Sequence, residues 1–72
     1  MLTFKKVNKE LAKHPKWAGE ELVQGDGYLY FMNGNADMWY SSSIPVCKLN
    51  HVTLEMIIHD FEQFVAEYER KM

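Results

Sequence analysis

Seventy-two residues are enough for one domain and too few for two; 47% are apolar, 25% are charged and ten are aromatic. That composition excludes a disordered tail, and a lone cysteine, Cys47, excludes an internal disulfide framework. The net charge of −2 is unevenly spread: residues 1–18 carry five lysines against one glutamate, and residues 19–72 carry three basic against nine acidic side chains.

A domain of this size buries only about 60% of the surface that its unfolded chain exposes, so a deep pocket within one core is not expected. No apolar run approaches membrane-spanning length. The N-terminal residues Leu2-Thr3-Phe4-Lys5-Lys6 lack the apolar stretch of a signal peptide. The expectation is a cytoplasmic protein with no membrane partner. A free cysteine is more often a small buried apolar residue than a reactive thiol, and Cys47 is read that way.

The first predicted element is a helix over residues 4–14. Phe4, Val7 and Leu11 recur at helical spacing, and Ala12 widens the stripe. Thr3 is its N-cap and Pro15 its stop. Trp17 then folds back onto the core. A short strand is expected at residues 21–24, followed by a turn at Gly25-Asp26-Gly27. Residues 28–32 form the best strand, with Tyr28, Tyr30 and Met32 on one face and Leu29 and Phe31 on the other.

Asn33-Gly34 is a hairpin turn signal. Beyond it, residues 33–43 are either an early return strand or a long loop carrying Met38, Trp39 and Tyr40. Residues 44–49 read as a strand that Pro45 confines to an edge. The last element is a helix over residues 54–70. Leu54, Ile57, Ile58, Phe61, Phe64, Val65 and Tyr68 form one apolar stripe. Thr53 caps it, Val52 and Ile57 form a hydrophobic staple, and Glu55 and Arg70 complement its dipole. The fold class is α+β in the order α-β-β-β-α: a three-stranded antiparallel sheet with both helices packed on one face.

The chemistry-bearing residues do not assemble into a reactive set by spacing. His14, His51 and His59 lack metal-ligand spacing, so no metal or cofactor is expected. Glu20-Glu21 and Asp60 with Glu62 lack the desolvated cleft that acid–base work requires. Ser41-Ser42-Ser43 has no nucleophile elbow, and Cys47 has no assigned histidine. A non-catalytic protein is the expectation.

The element order and length match the double-stranded RNA-binding domain. In that family the last helix begins with lysines that meet phosphate. Here the corresponding stretch reads Asn50-His51-Val52-Thr53-Leu54-Glu55, with no lysine or arginine. The basic first helix, through Lys5, Lys6, Lys9, Lys13 and Lys16, remains an alternative nucleic-acid contact. A solvated lysine face is the commoner outcome for such a pattern.

Tyr28, Tyr30, Met38, Trp39 and Tyr40 are more aromatic and flexible apolar material than two helix stripes require. Such residues are enriched at interfaces, although a small domain also draws on its aromatics for the core. Phe31, Trp17 and Leu29 are assigned to the core. Trp39 and Tyr40 divide evenly between core and binding patch. The leading expectation is a protein-interaction module acting through these five residues, with a homodimer as one form of the partnership.

The run Gly27-Tyr28-Leu29-Tyr30-Phe31, then Trp39, Ser42-Ser43-Ile44, Lys48-Leu49-Asn50 and Thr53-Leu54-Glu55 resembles small proteins encoded by bacteriophages and other bacterial mobile elements. The resemblance covers roughly residues 10–65. Pro45 departs from it, where relatives carry tyrosine or valine in the second strand. It brings no activity. It implies a bacterial cytoplasm and a small product that binds a host protein.

Overall fold

A computed structural model describes residues 2–71. Helix α1 spans Phe4–Leu11, with the Thr3 hydroxyl accepting from the Lys6 amide at 3.1 Å. The helix proper ends earlier than residue 14. Lys13 and His14 donate instead to carbonyls three residues back, those of Glu10 and Leu11, so the winding tightens on approach to Pro15. Val7 and Leu11 are fully buried and Phe4 is half-buried, whereas Ala12 lies exposed outside the stripe.

Strand β1 (Glu21–Gln24) pairs antiparallel with β2 (Leu29–Met32), and β2 with β3 (Ser43–Ile44), in the order β1-β2-β3. The Gly25 amide donates to the Tyr28 carbonyl at 2.7 Å and closes the β1–β2 hairpin. Tyr28 therefore ends the loop and does not begin the strand. Cross-strand partners Leu22 and Phe31, and Leu29 and Ile44, are buried together on one face. Val23, Tyr30 and Met32 occupy the other face and are half-buried.

The Asn33-Gly34 turn takes positive φ at both residues, 66° and 54°, but no strand returns across it. The chain instead winds through a 3₁₀ turn at Ala36–Met38 and re-enters the sheet at residues 42–44. Residues 33–42 are thus the long-loop alternative. The expected strand over 44–49 is cut to Ser43–Ile44. Pro45 has no amide to donate, and Val46 turns its own amide back to the Ile44 carbonyl at 2.8 Å. Residues Leu49–His51 then form a second 3₁₀ turn. Cys47, between these turns, is exposed and not in a strand, which corrects its expected burial.

Helix α2 spans Leu54–Arg70, capped by the Thr53 hydroxyl accepting from the Met56 amide at 3.2 Å. Val52 and Ile57, the staple pair, are both buried. Ile57, Phe61 and Val65 of α2 join Val7 and Leu11 of α1 and the inner sheet residues in a single core. Both helices therefore cover one sheet face, and among the described residues no layer covers the other. The radius of gyration, 11.3 Å, is close to the roughly 11 Å expected for a domain of this length. No helix among the described residues is long and apolar enough to cross a membrane.

Candidate interaction surface

The five residues expected to form one aromatic patch separate into three groups. Tyr28 is 41% exposed at the hairpin end, and its ring stands against Tyr30 with centroids 5.7 Å apart. The Tyr28 ring also lies on Gly25, where an added Cβ would come within 2.7 Å of it. Glycine at this position lets the ring fold down beside the uncovered sheet face. Val23, Met32, Glu21 and Ser43 share that face; Val23 and Ser43 flank Tyr30 on the neighbouring strands, and Glu21 is opposite Met32.

Met38 and Tyr40 are exposed on the loop after β2, and the Tyr40 ring carries the Lys71 ammonium 4.2 Å from its centroid. This contact places Tyr40 at the C-terminal end of α2, on the helix side of the sheet. Trp39 does not belong to a surface patch. It is 8% exposed and packs edge-on against Phe31 at 5.6 Å and Phe61 at 5.7 Å. The 3₁₀ turn drives the ring inward between sheet and α2. Among the described residues, its buried indole N–H has no acceptor.

Trp17, expected in the core, is exposed at 39%. Its indole N–H is satisfied at the surface by the Glu20 carbonyl, at 2.8 Å. The residue that takes the interior place is Glu20 itself, 1% exposed. Its carboxylate accepts the Ala18 amide at 2.9 Å and the Asn35 amide at 2.6 Å. Gly34 fits beside it because any Cβ there would collide with Glu20 and with the Ala18 carbonyl. The loop that carries Met38, Trp39 and Tyr40 is therefore held in place by a carboxylate placed just before β1.

The lysines also separate. Lys5, Lys6, Lys9 and Lys13, with Thr3 and Glu10, line a shallow groove of about 360 Å³ along α1. Lys13 pairs with Glu10 at 3.3 Å. Lys16 leaves this group and pairs with Glu69 of α2 at 3.0 Å. Nearby, His14 Nε2 meets Glu62 Oε2 at 2.9 Å, and His14 Nδ1 accepts the Lys16 amide at 3.0 Å. A cleft of about 210 Å³ between this connection and α2 is lined by Lys16, Glu20, Asn35, Trp39, Val65, Tyr68 and Glu69. Both Glu20 oxygens face backbone donors already, so this carboxylate is a structural clamp.

His51 and His59 are exposed, and no group of three or more potential metal-ligating side chains converges among the described residues. The alternation of Tyr28, Tyr30 and Met32 is visible in the sequence. The membership of Val23 in the same face requires the β1–β2 register, which no local pattern encodes. No family model matches the chain, and neither a curated protein nor a solved structure is significantly similar to it.

Proposed function

We propose that this chain is a small, non-catalytic protein-interaction module that receives its partner on the open face of the sheet, around Tyr28 and Tyr30. The observation that carries this is the uncovered face itself. Both helices share one side of the sheet, and Val23, Tyr30 and Met32 stay half-buried on the other with no layer over them among the described residues. Tyrosine and methionine offer large contact area with little desolvation cost, which suits a docking face.

Edge pairing is a poorer route to a partner. The outer edge of β1 is occupied at Leu22 by the Asn8 side chain, and β3 is two residues long. The resemblance to phage and mobile-element proteins supports a bacterial cytoplasm as the setting and a host or phage protein as the partner.

The test is capture of partners by the tagged chain from a nuclease-treated bacterial lysate, set beside the Tyr28→Ser and Tyr30→Ser variant. The expected result is one stoichiometric protein lost from the variant while its thermal unfolding stays near that of the parent. A partner retained by the variant would place the docking face elsewhere.

A further inference from the structure

The basic start of the chain already reads its own acidic helix. His14 meets Glu62 at 2.9 Å and Lys16 meets Glu69 at 3.0 Å. These contacts use acids in the C-terminal part of α2 and leave its N-terminal part unmatched. Among the described residues, Glu55 and Asp60 have no cation within ion-pair distance, and neither Lys5, Lys6 nor Lys9 has a carboxylate. The two unmatched sets have complementary relief. The lysine groove on α1 is about 360 Å³. On α2, Met56 is 51% exposed and stands between Glu55 and Asp60 beside a shallow hollow shared with Thr53 and His59.

We propose that the lysine groove of α1 takes the outer face of α2 from a second copy of this chain, with Met56 seated among the lysine stems and Glu55 and Asp60 against the ammonium groups. Charge decides the pairing. The groove cannot meet another groove, nor the acidic face another acidic face, because like charges would be juxtaposed. The contact therefore joins unlike surfaces of two copies. Lysine stems are apolar along most of their length and pack against a methionine while their heads stay hydrated. Partly exposed ion pairs are screened by salt, so the association is favoured at low ionic strength and lost as salt rises. It is independent of the sheet-face reading, since Tyr28 and Tyr30 take no part in it.

Sedimentation equilibrium of the full chain at about 20 mM and about 300 mM salt tests it. The expected result is a concentration-dependent rise in mass at low salt, with affinity weakened about tenfold or more at high salt. Lys5→Glu with Lys9→Glu, or Glu55→Lys with Asp60→Lys, each yields a monomer at low salt. The chain carrying all four reversals associates again, because its two surfaces have exchanged sign. Met56→Ser weakens association without changing any charge. Lys5, Lys9, Glu55 and Met56 are exposed and Asp60 is half-buried, and circular dichroism checks that each variant is folded. A wild type that stays monomeric at low salt overturns the proposal. So does association that survives either pair of reversals, or failure of the fourfold variant to associate. Retention on duplex oligonucleotide by a chain that does not self-associate assigns the groove to nucleic acid and equally overturns it.

Discussion

The carboxylate of Glu20 accepts the backbone amide of Asn35 at 2.6 Å across the gap between the approach to β1 and the loop after β2. Its second oxygen takes the Ala18 amide at 2.9 Å. Removing the side chain leaves two part-buried amides without this acceptor, at about 1–3 kcal/mol each. Glu20→Ala should therefore lower stability by about 2–6 kcal/mol, out of the roughly 4–11 kcal/mol that a domain of this length commands. Glu20→Gln keeps one acceptor and should cost less. Urea unfolding of the three proteins checks the order. An alanine variant as stable as the parent would mean that the clamp contributes nothing.

Asn8 places a side-chain amide against the backbone of Leu22, accepting its N–H at 2.7 Å and donating to its carbonyl at 3.2 Å. A helix side chain thus supplies the bonds that a fourth strand would make at the β1 edge. Asn8→Ala uncovers that edge, with two consequences. Stability should fall by about 1–3 kcal/mol. The freed edge should also pair between molecules, seen as faster aggregation at equal concentration of folded protein. Asn8→Asp retains the acceptor and loses the donor, and should lie between the two.

The two helices are legible in the sequence because their determinants are local. Thr3 and Thr53 each reach an amide three residues on, and the apolar spacing that follows each cap becomes the buried face. The alternation in Tyr28–Met32 likewise assigns faces correctly, Leu29 and Phe31 inward and Tyr30 and Met32 outward. What local pattern misses is set by partners far along the chain. Glu20 is a surface residue by type and becomes an interior one because Asn35, fifteen residues later, offers an amide. Trp39 looks like part of a polar loop and is drawn inward by Phe61 and Phe64 of α2. Ile44 starts a plausible strand, but the amide of Val46 turns back on the Ile44 carbonyl and ends it.

Trp39 illustrates how a buried aromatic carries a cost along with its packing. Its enclosed indole N–H has no acceptor among the described residues, which costs about 1–3 kcal/mol relative to a satisfied donor. Trp39→Phe removes that donor while retaining much of the ring, so its net effect should be small, within about 1.5 kcal/mol. Trp39→Ala should cost about 3–5 kcal/mol through the cavity left among Phe31, Phe61 and Phe64. Partner capture should be unaffected by Trp39→Phe, because the ring lies in the core. Acrylamide quenching separates the two indoles: in Trp17→Phe the remaining Trp39 emission should resist the quencher, and in Trp39→Phe the remaining Trp17 emission should not.

His14 joins the end of α1 to α2 and does so in one tautomer. Nδ1 accepts the Lys16 amide at 3.0 Å, so the proton sits on Nε2, which donates to the Glu62 carboxylate at 2.9 Å. The ring meanwhile stands edge-on to Phe61 with centroids 5.1 Å apart, anchoring the connection to the core. Protonation of Nδ1 removes the acceptor from Lys16 while leaving the Glu62 contact in place. The two ring nitrogens therefore report on different contacts. Nitrogen-15 spectra should show the Nε2–H tautomer in the neutral form. Glu62→Gln keeps an acceptor for Nε2–H and should preserve the tautomer. Glu62→Ala should cost no more than about 1 kcal/mol, because Glu62 is solvent-exposed and the contact lies at the surface. Detection of the Nδ1–H tautomer as the main neutral form would show that the Lys16 amide is not bonded to this ring.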